Sequence, residues 1–374
     1  MPTVCIDCRY IGPRPSGIAE MVQALCDHVP ALAPDLDFLL LRHPSRTMPL
    51  SNASNVREMP VRWAANGPMG MSALSHVADL SGVNLFHAPS NILPHIAMPA
   101  ITTVHDILWL THPRWCNDRP YEQIERRFYN YGIRRALRKS AMIATVSDAT
   151  RDAILAFDPA IDPRRIVTTR SGVSSDFRTA PDADRANGLP GQAAASPYIL
   201  IVGQNAPYKN HARAVAAFAL AFDDRADMHC IMVQRRGEDG GRLNARIAEL
   251  GLTDRIHVRS PVPRGELVTL YQGATALFHP SLAEGFGNPL AEAMACGCPV
   301  VTSDRSAMVE VTDGAAVLID PYDVSGMAAA LRQVADDDDL TAHLRARGLA
   351  RGRQLDWGAF AATNIALYRS ALRR

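Results

Sequence analysis

The chain has 374 residues, 47% of them apolar and 21% charged, which is the composition of an ordinary soluble globular protein and more length than one hydrophobic core usually serves. Lys plus Arg number 39 against 38 Asp plus Glu, so no global charge argues for nucleic-acid binding and any basic site must be local. "MPTVCIDCRY" is not a basic-then-apolar leader, and no run reaches the roughly 18 apolar residues of a spanning helix, so a cytoplasmic protein is expected.

Seven cysteines, an odd number, lie scattered along the chain and suit a reducing compartment better than a disulfide framework. Cys5 and Cys8 have no second pair and no His at metal spacing, so they read as thiols. Cys296 and Cys298 flank a Gly at a helix end and read as small buried groups.

Short β-rich apolar runs recur: "TVCID" (3–7), "LDFLLL" (36–41), "NLFHA" (84–88), "AITTVH" (100–105), "AMIATVS" (141–147) and "RIVTTR" (165–170). Helix-period segments such as 17–29 lie between several of them, and strands alternating with helices predict a parallel sheet covered on both faces. Residues 179–197, dense in Ala, Pro, Asp and Gly, read as a linker or surface loop. The alternation then restarts with "YILIVG" (198–203), a helix over 210–222, "HCIMVQ" (229–234), "RIHVRS" (255–260), "ATALFHP" (274–280) and "PVVTS" (299–303). The acidic run 336–339 reads as a solvated turn, and 355–374 as a closing amphipathic helix. Two doubly wound domains are expected, with ligands beyond the carboxyl ends of the strands.

The chemistry concentrates in "EGFGNPLAEAMACGCPVV" (284–301). A strand runs into a glycine-rich loop, Pro289 suits the first turn of a helix, and Gly297 closes it. Free N–H groups at a helix N-terminus approached through glycines suit a diphosphate. Glu284 ahead of that terminus and Glu292 one turn inside it can each accept hydrogen bonds from vicinal hydroxyls. This arrangement fits a nucleotide diphospho-sugar.

That segment resembles the E-x7-E segment of retaining GT-B glycosyltransferases of the large family 4, especially bacterial mannosyl- and rhamnosyltransferases of polysaccharide assembly. The likeness extends along nearly the whole chain. "IDCRYIGPRPSGIAEMVQAL" is similar to the family's opening strand, glycine loop and helix, "TTVHDILWLTHP" to its "vHD" segment, and "VSDATRDAI" to the following strand-to-helix step. "YILIVGQNAPYKN" resembles the start of the second domain, and the final "W…Y" helix the one that crosses back to the first.

The resemblance implies an α/β GT-B fold of two Rossmann-like doubly wound domains facing across a cleft. Residues 1–180 would bind the acceptor, 181–354 the nucleotide-sugar, and 355–374 would form the crossover helix on the first domain. Glu292 would hold the donor ribose and Glu284 the sugar's 3- and 4-hydroxyl region. Backbone N–H groups of Gly285, Phe286 and Gly287, with Asn288 beside them, would hold sugar and phosphate, and backbone near Val262 would meet the base.

Lys209 would neutralise the diphosphate where leaving-group charge develops. Relatives often pair that Lys with an Arg, whereas Gln204 and Tyr208 stand here, so Arg235 or Arg236 is the substitute cation. Their "NGV" is "SGV" here, at Ser171 to Val173. His105 and Asp106 would face the donor sugar's C6 group and the reacting side. Gly12 and Gly17 would let backbone approach a phosphate or acceptor, and His87 and His95 are further candidates. Lys209 and the helix dipole would take the place of a metal ion, so no cofactor is expected beyond the nucleotide-sugar substrate, GDP-mannose in kind.

The expected activity is retaining hexosyl transfer, mannosyl or rhamnosyl, to a saccharide, lipid-linked, in cell-surface polysaccharide synthesis. A UDP-glucose or UDP-galactose donor and a non-catalytic sugar-nucleotide-binding protein stay open as alternatives. A Rossmann oxidoreductase is disfavoured because no G-x-G-x-x-G opens either first βα turn. Finally, 126–140, "RRFYNYGIRRALRKS", carries Arg126, Arg127, Arg134, Arg135, Arg138 and Lys139 without an acid, with Phe128, Tyr129 and Tyr131 among them. As a helix it would offer a basic, aromatic strip to an anionic membrane or to a lipid diphosphate, or else be a solvated helix whose aromatics pack on the sheet.

Overall fold

The computed structural model describes the chain apart from residues 13–15, 117–121, 180–195, 235–239 and 374. Most of the 179–197 segment therefore lies outside the described residues, as do Arg235 and Arg236. The chain divides into two compact units, one of Met1–Arg114, Asp118–Gly172 and Asp356–Arg374, the other of Trp115–Asn117 and Val173–Leu355.

In the first unit β1 (Thr3–Asp7), β2 (Asp37–Arg42), β3 (Val56–Pro60), β4 (Val83–Ala88), β5 (Ala100–Val104), β6 (Met142–Thr145) and β7 (Ile166–Thr168) form one parallel sheet in the order β3-β2-β1-β4-β5-β6-β7. Strand periodicity decides which side chain goes where. Val4, Ile6, Phe38 and Leu40 enter one core layer, whereas the intervening Cys5, Leu39 and Leu41 enter the layer on the opposite face. Both faces are covered, so the strands read as continuous apolar runs rather than alternating ones.

The helices Gly17–Leu32 and Trp357–Leu372 cover the first of those layers, their N-termini capped by Ser16 Oγ and by the Asp356 carboxylate. The closing helix is pinned from below. The Tyr368 hydroxyl and His87 Nδ1 share a hydrogen bond of 2.7 Å, and His87 Nε2 meets Thr103 Oγ1 at 2.8 Å. His87 thus sits within β4 with no exposure at all. That removes it as a ligand-facing candidate, because its strand position points it under the helix.

The second unit repeats the plan with β8 (Tyr198–Val202), β9 (His229–Val233), β10 (Ile256–Arg259), β11 (Ala276–His279), β12 (Val300–Ser303) and β13 (Val317–Ile319), in the order β10-β9-β8-β11-β12-β13. The helices His211–Ala221 and Val324–Asp336 bury Val215, Phe218, Met327 and Leu331 against Ile199, Ile201, Met232 and Phe278. The acidic run is not a loose turn. Asp336 ends one helix and pairs with Arg225 and Arg332, and Asp337 caps the next, Asp338–Gly352, by accepting from Leu340 N–H at 2.9 Å. No helix among the described residues is long and apolar enough to cross a membrane.

Burial pushes the His87 pKa from 6.5 down to about 3. Between those values the unfolded chain binds a proton that the folded chain refuses, so this stability is complete above about pH 6.5 and is lost as pH falls toward 3. The thermal midpoint is expected to fall between pH 7 and pH 4, and less steeply in a His87→Gln variant. Parallel profiles for the two proteins would assign the decline to other groups.

Candidate functional site

In the second sheet the chain runs outward from β8 through β9 to β10, then returns to the other side of β8 as β11. Open α/β sheets bind ligands beyond the carboxyl ends of the strands at such a reversal. The loops there are 203–210 after β8 and 280–287 after β11.

The chain locks these loops together. Asn210 adopts the left-handed region at φ 61°, which Asn tolerates better than most residues, and its Nδ2 donates to the carbonyls of Pro280 and Pro321 at 3.1 and 2.7 Å. Leu282 N–H donates to Tyr208 O at 2.7 Å. The Lys209 stem lies along the backbone of Gly203, where an added Cβ would touch its Cδ and Cε at 3.4 Å.

Lys209 Nζ reaches Glu284 Oε1 at 2.6 Å, and both side chains are 9% exposed. Ser281 Oγ donates to the same oxygen at 2.7 Å and His279 Nε2 lies 2.9 Å from it. Thr302 and Ser303, at the end of β12, donate to the carbonyls of His279 and Ser281 at 2.8 and 2.6 Å and strap this loop to the sheet. Burial on its own would raise the Glu284 pKa, but the Lys209 charge and the His279 N–H outweigh it and hold the carboxyl well below the usual range. Burial lowers the pKa of His279. At neutral pH Lys209 therefore faces a carboxylate and a neutral imidazole.

The helix Asn288–Ala295 begins directly after this carboxylate, with Pro289 in its first turn and Gly287 at φ 91° as its cap. Any side chain at Gly287 would adopt a strained backbone, and its Cβ would stand 3.0 Å from Leu290 Cδ1. Gly297, at φ 72°, ends the helix: Cys298 N–H donates to Ala293 O at 2.9 Å and Gly297 N–H to Met294 O at 3.0 Å, a Schellman arrangement. The first-turn N–H groups of a helix lack partners within it and carry positive potential. Glu292, one turn in, accepts from the buried Tyr271 hydroxyl at 2.7 Å. Phe286 is buried, Gly285 and Asn288 are half-buried, and Val262 follows the end of β10 half-buried in its loop.

Beside Lys209, where relatives often carry an Arg, Gln204 Nε2 donates to the Tyr208 hydroxyl at 3.0 Å, and the Tyr208 ring lies 5.1 Å from Lys209 Nζ. The face of the Tyr208 ring thus lies beside this cation, which an aromatic face attracts.

In the first unit the reversal lies between β1 and β4. Beyond β5, His105 N–H donates to Asn91 Oδ1 at 2.6 Å and Thr150 Oγ1 donates to His105 O at 3.0 Å. The imidazole Nε2 donates to Pro89 O at 3.0 Å, and burial lowers its pKa, so Nδ1 is left as an acceptor. Asp106 Oδ1 takes Leu108 N–H at 3.0 Å and shapes the turn into Leu108–Thr111. Gly12 is exposed with open space at its Cβ position, and Gly17 opens the first helix, so sterics do not demand glycine at Gly12. His95 is exposed and stacks on Tyr131 with ring centroids 6.0 Å apart.

A family profile described as Glycosyl transferases group 1 matches residues 190–351. The O-antigen chain mannosyltransferase B of Escherichia coli is 34% identical over 277 residues, covering 73% of this chain and 71% of its own. The chain belongs to the glycosyl transferases group 1 family. A D-inositol 3-phosphate glycosyltransferase of Thermobispora bispora is 32% identical over 57% of this chain and 52% of its own. Among solved structures, sucrose-phosphate synthase from Thermosynechococcus elongatus superposes with a TM-score of 0.76 over 99% of each chain at 19% identity. That likeness is one of fold, and the fold is GT-B.

For this group 1 member, sequence reasoning missed His279, Ser281, Asn210 and Tyr271, the residues that hold the two glutamates and the Lys209 loop. "FHPS" and "YKN" were in view, but only the pairing of β8 with β11 shows what they touch. Arg9 was missed too: buried at the end of β1, its guanidinium grips Asp7 through two bonds of 2.7 and 2.6 Å.

Removing one partner of a buried pair leaves an uncompensated charge, at about 3 to 5 kcal/mol. Because Ser281 and His279 still donate to Oε1, Lys209→Met is expected to destabilise the protein by about 3 kcal/mol, and adding Glu284→Gln should restore most of it. Denaturant unfolding of the two variants measures this, and an equal loss in both would show that Lys209 acts through packing alone.

Proposed function

We propose that this glycosyltransferase moves a mannosyl or rhamnosyl group from a nucleoside diphosphate sugar, GDP-mannose in kind, to a saccharide hydroxyl, with retention and without a metal ion. The observation that carries the reading is the Lys209–Glu284 pair set directly ahead of the helix N-terminus at Gly287, with Glu292 one turn behind it. A hydroxyl-accepting carboxylate, a positive helix end and a second carboxylate follow one another as sugar, diphosphate and ribose do. The likeness to an O-antigen chain mannosyltransferase supports the choice of sugar and a role in cell-surface polysaccharide assembly.

In this reading Glu292 takes the ribose hydroxyls and Glu284 those of the sugar, while Lys209 and the first-turn N–H groups meet the diphosphate. His105, Asp106, Gly12 and Gly17 keep the roles the resemblance implies, with the neutral His105 Nδ1 able to accept from a sugar hydroxyl. Glu284 is strongly acidic and already accepts three hydrogen bonds on one oxygen, so it is a poor nucleophile. The bond from the sugar carbon to phosphate breaks as the acceptor oxygen bonds to that carbon on the same face, and the leaving phosphate takes the acceptor proton.

Labelled GDP-mannose and UDP-glucose offered with a lipid-linked saccharide test the activity. Mannosyl transfer that persists in EDTA, with an α product from an α donor, is expected. Transfer only from UDP-glucose would change the donor, and binding without transfer would leave a sugar-nucleotide-binding protein. Glu292→Ala should weaken donor binding while Glu284→Ala lowers turnover, each by about 1.5 to 3 kcal/mol. Wild-type kinetics in both variants would overturn the assignment.

We also propose that the helix Glu122–Lys139 places the first unit on an anionic lipid surface from the cytoplasmic side. Arg126, Arg127, Arg134, Arg138 and Lys139 are exposed and border a groove of about 660 Å³. Among the described residues no carboxylate pairs with them. The aromatics divide between the two expectations: Phe128 and Tyr129 pack on the core beside Ile133 and Leu137, with Trp109 stacked on Tyr129, because they fall on the buried face. Tyr131 and Ile124 remain exposed, at 49% and 68%. At about 1 kcal/mol per basic residue near an anionic surface, reversing Arg127, Arg134 and Arg138 to Glu should release the protein from anionic vesicles in sedimentation. Equal pelleting of both proteins, or none of either, would remove the membrane contact.

A further inference from the structure

Three donors converge on one oxygen of Glu284, and they differ in stiffness. Lys209 Nζ, at 2.6 Å, sits on a four-carbon stem and Ser281 Oγ, at 2.7 Å, on a loop. His279 Nε2, at 2.9 Å, belongs to the last residue of β11. Its side chain is 2% exposed, and its carbonyl is bound by Thr302. Of the three, only this donor belongs to a residue within a strand.

The proton positions follow from chemistry. An ionised carboxylate oxygen only accepts, so Nε2 carries a hydrogen. Ser281 Oγ gives its own hydrogen to Glu284, so its 3.2 Å contact with Nε2 is one in which the hydroxyl oxygen accepts. The Nε2–H is therefore shared between Glu284 Oε1 and Ser281 Oγ and braces both. All of these described bonds fall on Oε1, none on Oε2, and Ser306 Oγ holds the Glu284 carbonyl at 2.7 Å.

We infer that His279 is a positioning residue for Glu284: its strand-borne Nε2–H fixes Oε1, so that Oε2 is the oxygen turned to the hydroxyls of the donor sugar. This rests on the transferase reading and adds to it which carboxylate oxygen meets the substrate and what sets its aim. Lys209 and Ser281 alone would hold the carboxylate by a four-carbon stem and a rotatable hydroxyl. A carboxylate that pivots keeps its charge but loses its line to the hydroxyls, and a misplacement of about 1 Å can cost about a hundredfold in rate. The nucleotide end, held through Glu292 and the helix N-terminus, should not feel the change.

His279→Leu and His279→Gln separate positioning from packing, since Gln can donate to Oε1 and Leu cannot. We expect His279→Leu to lower kcat by about ten- to a hundredfold while the Kd for GDP, which carries no sugar, stays within about twofold of wild type. His279→Gln should recover most of kcat. Full kcat in His279→Leu, or equal losses in both variants, would overturn the inference. Independently of turnover, 15N spectra of the wild-type protein should show a neutral imidazole protonated on Nε2, perturbed in Glu284→Ala. A neutral Nδ1–H imidazole would overturn it even if His279→Leu does not fold. A wild-type protein that transfers no sugar from any donor would sink the transferase reading, and the imidazole spectrum would still decide whether His279 braces Glu284.

Discussion

The site depends on a buried ion pair between a loop after β8 and a loop after β11. Lys209 and Glu284 are 75 residues apart in sequence and 2.6 Å apart in space. Neither charge would be tolerable at 9% exposure alone, because an unpaired buried ion costs several kcal/mol. Each makes the burial of the other possible. Everything nearby serves that pairing: Asn210 takes a left-handed turn to aim the lysine, Gly203 lies along its stem, and His279 and Ser281 complete the shell of the carboxylate.

The pairing sits where it does because of sheet topology. A parallel sheet whose order reverses leaves the loops at the carboxyl ends of two adjacent strands diverging to opposite faces. The helix Asn288–Ala295 brings its positive end to that place, and Gly287 makes the entry possible by adopting a backbone that other residues resist. Charge, dipole and backbone freedom thus meet at the reversal, within two loops.

Histidines show how burial sorts chemically similar residues. His87 is locked between Tyr368 and Thr103 inside the first unit and ties the closing helix to the sheet. His279 is equally buried, yet one nitrogen faces a carboxylate at the site. His105 spends one nitrogen on a backbone carbonyl and keeps the other as an acceptor. Each ends or nearly ends a strand. What distinguishes them is the neighbour that the fold supplies, which strand position cannot predict.

The sequence by itself determined the α/β class, eleven of the strand positions, and Glu284, Gly287, Pro289 and Glu292 as a unit, because these rest on local rules: short β-rich apolar runs, helix capping and glycine conformation. It passed over β3, half-exposed and carrying Arg57, Glu58 and Pro60, and β13, three residues long, because edge strands lack the apolar run of central ones. Only the tertiary structure decided that Lys209 pairs with Glu284, that His279 and Tyr271 hold the two glutamates, and that Phe128 and Tyr129 turn inward while Tyr131 stays exposed. These depend on which strands lie side by side and which helix face meets the sheet. Such contacts join residues tens of positions apart, and their energies come from burial and pairing that no local stretch of sequence contains.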